Sequence, residues 1–285
     1  MVTETTERHY WTDDGIELVA DVGGASDAPA VILMHGGGQT RFSWAGAAKA
    51  FLQAGYQVVN YDARGHGASG WSPDGDYTLR RRALDLSAIA DTVAAPVALV
   101  GASLGGATAM RAIADGFRPA ALALVDIVPR PDPRGVQRIR DFMSANLGGF
   151  DHIDQVVDAI AAYNPHRPRP KDPSGLARNL RTGADGRLYW HWDPRILDQG
   201  TRQEMADFQQ TMPGLADAVG LPVLLVRGAD SDVVGSQGVE DLRAVLPSLE
   251  IFDVPGAGHM VAGDRNDAFV AGVLTFLKQH MPVAP

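Results

Sequence analysis

A serine in a predicted tight turn is the first residue of this chain that could do chemistry. Ser103 lies in Gly101-Ala-Ser-Leu-Gly105, directly after the apolar run Pro96-Val-Ala-Leu-Val100 and before a stretch of small residues. A Gly-x-Ser-x-Gly pattern between a strand and a helix forces a tight turn that holds the serine hydroxyl out at the C-terminal tip of the strand. Such a hydroxyl can attack a carbonyl carbon, and the helix N-terminus offers N–H donors to the charge that develops.

A serine nucleophile needs a base, and the base needs a carboxylate that orients it. His259 follows the glycine-containing segment Pro255-Gly-Ala-Gly, just beyond the last predicted strand, so its ring can turn back over the strand ends. The expected chain order is serine, acid, histidine, so the acid should come from a loop between Ser103 and His259. Asp232 is the favoured residue, because a pair of valines follows it and could anchor its loop. Asp230 in the same loop, and Asp126 at the end of an earlier strand, stay open as alternatives.

An oxyanion hole needs two N–H donors that point at the developing negative charge. The backbone N–H of Leu104, directly after the serine, is the first predicted donor. The second is expected from the loop His35-Gly-Gly-Gly38, where glycine leaves room for substrate to approach the amide. Gly37 is the favoured residue of this loop, and Gly38 is the alternative.

An aromatic segment, Tyr189-Trp-His-Trp-Asp193, is the best candidate for a substrate-binding wall. Trp190 and Trp192 could line an apolar pocket above Ser103, with His191 supplying a polar contact and Gly38 lying beside the substrate. The two tryptophans are equally well explained as packing residues.

The order of the predicted elements indicates one α/β unit. A hairpin at Asp14-Gly15 comes first, and buried strands then alternate with helices, which is typical of a mostly parallel, doubly wound sheet. Active sites in such sheets lie at the C-terminal ends of the strands. The alternation stops after residue 128 and resumes after residue 212. Residues 129–212, which hold helical stretches near Val136–Leu147 and Ile153–Tyr163, are therefore predicted as a mostly helical cap inserted into a core of residues 1–128 and 213–285.

Composition narrows the function further. The chain has 285 residues, 45% of them apolar, which is enough to bury a large core. A net charge of −9 does not suit a nucleic-acid-binding protein, and the absence of cysteine suits a reducing cytoplasm. No membrane segment, signal peptide or metal-ligand pattern is predicted. The expected partner is a small-molecule substrate, and a homodimer is left open.

Taken together, these motifs resemble the α/β-hydrolases that carry an inserted cap. The resemblance rests on His35-Gly-Gly-Gly38, Asp62-Ala-Arg-Gly-His-Gly-Ala-Ser69, Gly101-Ala-Ser-Leu-Gly105, the loop with Asp230 and Asp232, and Gly258-His259. It implies acyl transfer by a Ser–His–Asp triad without a cofactor. It also implies that Asp62 and Arg64 are structural residues that brace their loop.

The resemblance leaves several reactions to compare. Haloalkane dehalogenases and epoxide hydrolases share the cap and the glycine loop, but they carry aspartate at the position of Ser103, which disfavours their chemistry here. The predicted function is hydrolysis of a small carboxylic ester through an acyl-enzyme. The alternatives are C–C bond hydrolysis or cofactor-free perhydrolysis with the same triad, or small-molecule binding without catalysis, because fold does not determine function.

Overall fold

A computed structural model describes residues 4–94, 96–165, 169, 172–198 and 206–284. Within these ranges the main sheet has eight strands in the order β1-β2-β4-β3-β5-β6-β9-β10, and a separate pair is formed by β7 and β8. The strands are β1 (Thr5–Trp11), β2 (Glu17–Gly23), β3 (Ala30–Met34), β4 (Gln57–Tyr61), β5 (Val97–Ala102), β6 (Ala121–Val125), β7 (Leu180–Thr182), β8 (Leu188–Trp190), β9 (Val223–Gly228) and β10 (Leu249–Val254). Strands β1 and β2 pair antiparallel, as do β2 and β4, and the other pairs of the main sheet are parallel.

The central strands are apolar along their whole length because both of their faces are covered. All five residues of β3 are buried, with Ile32 and Met34 in one apolar cluster and Val31 and Leu33 in another. Parallel strands covered by helices on both sides have this uninterrupted apolar pattern. The predicted doubly wound, mostly parallel fold is confirmed.

The described helices cover both faces of the sheet. They are α1 (Ala45–Gln53), α2 (Leu79–Ala90), α3 (Leu104–Ala114), α4 (Pro133–Ser144), α5 (Ile153–Tyr163), α6 (Met212–Ala216), α7 (Ser236–Val245), α8 (Val261–Asp264) and α9 (Asn266–His280). Helices α2, α3 and α7 pack on one face, and α1 and α9 pack on the other. Glycines with positive φ follow two of them, Gly55 after α1 and Gly116 after α3, where a left-handed residue ends a helix at low cost.

Between β6 and β9 the chain forms an insertion, defined here as residues 129–212, whose boundaries stay a prediction. Its described part contains α4 and α5, as expected, and also the short antiparallel pair β7 and β8, which was not predicted. A third apolar cluster lies in this insertion and includes Met143, Phe150, Trp190 and Trp192.

The loop between β4 and α2 is fixed by buried ion pairs. The Arg64 guanidinium is fully buried and bonds to the carboxylates of Asp85 and Asp14. Asp62, also fully buried, accepts hydrogen bonds from the Arg41 backbone N–H and side chain. Both residues that the sequence assigned to structural roles therefore brace this loop. Across the described residues, no helix is long and apolar enough to cross a membrane.

Candidate active site

Ser103 occupies a strained turn between β5 and α3. Its backbone has φ 46° and ψ −111°, a conformation that costs a non-glycine residue on the order of 1–3 kcal/mol. The flanking glycines make the turn sterically feasible. A Cβ atom at Gly101 would lie 2.6 Å from the carbonyl group of Gly105, and one at Gly105 would lie 2.2 Å from the Met34 carbonyl oxygen. The sequence thus forces the serine to the tip of the strand, as predicted.

The first turn of α3 leaves a backbone donor beside this serine. Leu104 is the first residue of the helix, where N–H groups have no partner within the helix. Among the described residues, none accepts a hydrogen bond from the Leu104 N–H. Ser103 and Leu104 both line the same cavity, so a carbonyl oxygen bound near the serine can reach this donor.

His259 lies in the loop after β10 and also lines this cavity. Its Nδ1 lies 2.7 Å from Asp126 Oδ2, and only 8% of its side chain is exposed. Because an ionised carboxylate only accepts hydrogen bonds, Nδ1 carries the proton in this pair. In the neutral ring the other nitrogen, Nε2, is then an acceptor, which is the state that a general base requires.

Asp126 follows β6 directly and is fully buried. Its backbone has φ 49°, a left-handed value that aspartate tolerates better than most residues. Its carboxylate is held by three donors. Oδ1 accepts from the Gly228 N–H at 3.1 Å, and Oδ2 accepts from the Ser231 hydroxyl at 2.5 Å as well as from His259. The buried charge is therefore fully hydrogen-bonded, as its burial requires.

The prediction of Asp232 as the acid needs correction, because the structure does not bring this residue to His259. The Asp232 side chain is 41% exposed, and its carboxylate pairs with Arg138 of α4 at 2.9 Å. Asp230 is exposed too. Asp126, the third alternative in the sequence, is the carboxylate that contacts the histidine.

Ser231 gives the physical reason for this correction. Its hydroxyl points inward to Asp126 and accepts from the backbone N–H groups of Val233 and Val234, both buried. The two acidic neighbours of Ser231 then face solvent. The loop after β9 therefore does not supply the acid. It supplies Ser231, whose hydroxyl bonds to the acid Asp126.

The loop after β3 leaves one of its glycine N–H groups free. Gly36 donates to Gln39 Oε1 at 3.0 Å, and Gly38 donates to His66 Nε2 at 3.2 Å. Within the described ranges the Gly37 N–H has no acceptor, and Gly37 lines the cavity. This arrangement favours Gly37 over Gly38 as the second oxyanion donor.

The cavity that these residues share has a volume of about 470 Å³ and is mostly apolar. Its floor is the sheet edge with Ser103 and His259, and much of its wall comes from the insertion. The apolar side chains that the insertion contributes include Ile139, Phe142, Met143, Ile160, Trp190 and Trp192. Asn164 and Asn179 are among the polar residues of the wall.

A comparison with known protein families identifies the fold. A profile of the alpha/beta hydrolase family matches residues 31–272, which is most of the chain. The chain belongs to the alpha/beta hydrolase family. It is an enzyme, as the sequence predicts.

Known relatives of this hydrolase are diverse in name. The sn-1-specific diacylglycerol lipase ABHD11 of Mus musculus is 29% identical, over 89% of this chain and 82% of the lipase. An esterase of Mycobacterium tuberculosis is 28% identical, over 85% of this chain and 80% of the esterase. The crystal structure of that esterase has a TM-score of 0.75 and covers 96% of this chain and 91% of its own. An α/β hydrolase from Novosphingobium aromaticivorans has a TM-score of 0.79 at 23% identity, covering 97% and 99%, and shows the fold alone.

The aromatic segment of this hydrolase contacts the cavity on one side and backbone on the other. The rings of Trp190 and Trp192 stack at 4.9 Å, are buried, and line the cavity, so they both pack the insertion and form the wall. His191 is not part of the wall. Its Nδ1 accepts from the Gly67 N–H at 2.7 Å, and its Nε2 lies 3.3 Å from the Gly38 carbonyl oxygen. The prediction that His191 contacts substrate is therefore wrong. Its ring contacts the backbone of Gly67 and Gly38, on the side opposite to the cavity that Trp190 and Trp192 line.

Sequence reasoning missed the functional contacts of Ser231 and His66. Ser231 lies between the two aspartates that the sequence offered as the acid, and His66 lies in the segment of residues 62–69. Neither segment indicates these contacts, because both residues act through the backbone or through another side chain. In the part of the chain that the structure describes, no group of three or more potential ligands could hold a metal ion.

Proposed function

We propose that this hydrolase cleaves a neutral carboxylic ester through an acyl-enzyme, with Ser103 as nucleophile, His259 as base and Asp126 as the orienting acid. The observation that carries the proposal is the buried hydrogen bond of 2.7 Å between Asp126 and His259. His259 lines the same cavity as Ser103, which lies in the strained turn between β5 and α3. The names lipase and esterase among the relatives support an ester substrate.

The proposed reaction has two halves. The Ser103 hydroxyl oxygen attacks the ester carbonyl carbon while His259 Nε2 takes the hydroxyl proton, and the carbonyl π electrons move to the oxygen. The N–H groups of Gly37 and Leu104 stabilise that oxyanion. The bond to the alkoxy oxygen then breaks, and His259 returns the proton to the leaving alcohol. In the second half the oxygen of a water molecule attacks the acyl carbon while His259 takes a proton from that water. The bond between the acyl carbon and Ser103 Oγ then breaks, and His259 returns the proton to Oγ as the carboxylic acid is released. Asp126 stabilises the imidazolium in both halves.

The cavity supports a moderately sized, uncharged substrate. A volume of about 470 Å³ falls within the range of small-molecule sites, and apolar side chains from the insertion dominate its wall. We propose that the insertion acts as a cap that selects the acyl or alkoxy group by its apolar and aromatic surface.

The test is stopped-flow hydrolysis of p-nitrophenyl acetate, butyrate and octanoate. The wild type is expected to release a burst of nitrophenolate, and Ser103→Ala and His259→Ala are expected to lose activity by on the order of 10³-fold or more. Full activity in Ser103→Ala would contradict the proposal. If esters are not cleaved, diketones and a peroxide-dependent assay with a carboxylic acid distinguish C–C hydrolysis from perhydrolysis, and binding without any turnover indicates a non-catalytic role.

A further inference from the structure

Three histidines hold three consecutive peptide groups of the loop that carries Gly37. His35 Nδ1 lies 2.8 Å from the Gly36 carbonyl oxygen, and the Gly38 N–H donates to His66 Nε2 at 3.2 Å. His191 Nε2 lies 3.3 Å from the Gly38 carbonyl oxygen. The Gly37 N–H belongs to the first of these peptide groups. Its direction is therefore fixed by these three contacts together with the Gln39 N–H, which donates to the Gly36 carbonyl oxygen at 3.1 Å.

The other contacts of these rings define which nitrogen carries each proton. His35 Nε2 accepts from the Ala63 N–H, and His66 Nδ1 donates to the Arg64 carbonyl oxygen. His191 Nδ1 accepts from the Gly67 N–H. Each ring thus has one acceptor and one donor nitrogen, which is the neutral form. The rings lie against one another, with centroids 5.1 Å apart for His35 and His66 and 5.8 Å apart for His66 and His191.

His191 differs from the other two because the insertion contributes it. It is 153 residues away from Gly38 along the chain, and it is 4% exposed. Its neighbours Trp190 and Trp192 form part of the cavity wall, so one short segment contacts the cavity on one side and the oxyanion loop on the other.

We propose that His191 is a positioning residue that links the insertion to the oxyanion hole. By donating from Nε2 to the Gly38 carbonyl oxygen, it holds one side of the Gly38–Gln39 peptide, whose N–H is held by the Gly36 carbonyl oxygen, and so keeps the Gly37 N–H directed at the cavity. Glycines adopt many backbone conformations, so this loop needs external contacts to stay in one of them. A donor held in place before the reaction stabilises an oxyanion far better than one that must reorient. This inference rests on the proposed function for its catalytic consequence.

Two amide substitutions separate the two hydrogen bonds of His191. In His191→Asn the side-chain oxygen can replace Nδ1 as acceptor for Gly67, but nothing reaches Gly38. In His191→Gln the longer side chain can place its NH₂ group near the Nε2 position and donate to Gly38, while the contact with Gly67 is lost. With p-nitrophenyl butyrate, His191→Asn is expected to lower kcat about 10- to 100-fold with little change in KM, because small displacements of catalytic groups cost this much. His191→Gln is expected to recover most of that loss.

The matched control is His152→Asn, an exposed histidine of the insertion that should leave kcat unchanged. The ¹H–¹⁵N resonance of Gly37 provides a readout that does not depend on activity. It is expected to shift in His191→Asn and to stay near its wild-type position in His191→Gln.

The outcomes separate this inference from the proposed function. Greater damage in His191→Gln than in His191→Asn would overturn the inference, because His191 would then act only on the Gly67 loop. An unchanged Gly37 resonance in His191→Asn would overturn it as well, whether or not esters are cleaved. If the wild type cleaves no ester, or Ser103→Ala retains full activity, the proposed function fails while the resonance of Gly37 still decides the role of His191.

Discussion

Asp126 is the residue on which the proposed triad most depends, because it joins a buried charge to the base. Replacement by asparagine keeps the size of the side chain but lets an NH₂ group face His259 Nδ1. The ring must then turn or adopt the wrong tautomer, and an equivalent change in a serine protease triad lowers kcat by about 10⁴-fold. We expect Asp126→Asn to lower kcat for p-nitrophenyl butyrate by on the order of 10³- to 10⁴-fold, measured at saturating substrate.

Asp232→Asn is the matched control for this change. It removes a half-exposed ion pair with Arg138, and such pairs contribute between about 0 and 1 kcal/mol. Its kcat should stay within about twofold of the wild-type value. A greater loss of kcat in Asp232→Asn than in Asp126→Asn would indicate that Asp232, the residue that the sequence favours, is the orienting acid.

The sequence could predict where Ser103 and His259 lie in the fold, because local patterns determine both positions. Glycines fix the turn around the serine, and the histidine follows the last strand. The acid could not be predicted in the same way, because Asp126, Asp230 and Asp232 all follow strands that end at one edge of the sheet. Which one faces the histidine depends on the direction of side chains in the loop after β9, where Ser231 points inward.

At the scale of elements, the close approach of α3 to β3 determines whether the strained turn at Ser103 can form. A Cβ atom at Gly105 would lie 2.2 Å from the Met34 carbonyl oxygen in β3, and backbone cannot move aside cheaply. We expect Gly105→Ala to reduce the free energy of unfolding by several kcal/mol, as severe overpacking does, in a urea titration followed by circular dichroism.

Gly175→Ala is the control for Gly105→Ala, because a Cβ atom there meets nothing within 4 Å. Its free energy of unfolding should lie within about 0.5 kcal/mol of the wild-type value. Equal stability in the two variants would show that the close approach of helix and strand is not needed.

The sequence predicted element types better than their ends. The predicted helix over Ile153–Tyr163 matches α5, whereas α4 begins at Pro133 and not at Val136. The difference comes from Asp132, whose side chain caps the helix and is followed by proline at the first helical position. The strands β7 and β8 were missed because three residues each are too few for a periodic pattern.

At the scale of the whole molecule, the three neutral histidines make the contact between insertion and core sensitive to acid. Burial lowers the pKa of His191 to about 4, and burial together with His35 and Arg82 lowers the pKa of His66 well below its usual range. Burial lowers the pKa of His35 too, although Asp62 acts against the shift, and Arg82 and Arg41 add to it. If any of these rings took up a proton, its acceptor nitrogen would become an N–H donor. It would then face the backbone N–H group that now donates to it.

The fold should therefore lose stability in acid over a defined range. In the unfolded chain a histidine takes up a proton near pH 6.5, whereas folded His191 stays neutral down to about pH 4. The contribution of His191 to the free energy of unfolding is thus complete above pH 6.5, falls by about 1.4 kcal/mol per pH unit between 6.5 and 4, and levels off below 4.

Urea unfolding at several pH values measures this slope. His191→Asn has no proton to take up at this position, so its slope should be smaller than that of the wild type by about 1.4 kcal/mol per pH unit, which corresponds to one proton. Identical slopes for the wild type and His191→Asn would mean that His191 takes up its proton at the same pH in the folded and the unfolded chain, and would contradict this prediction.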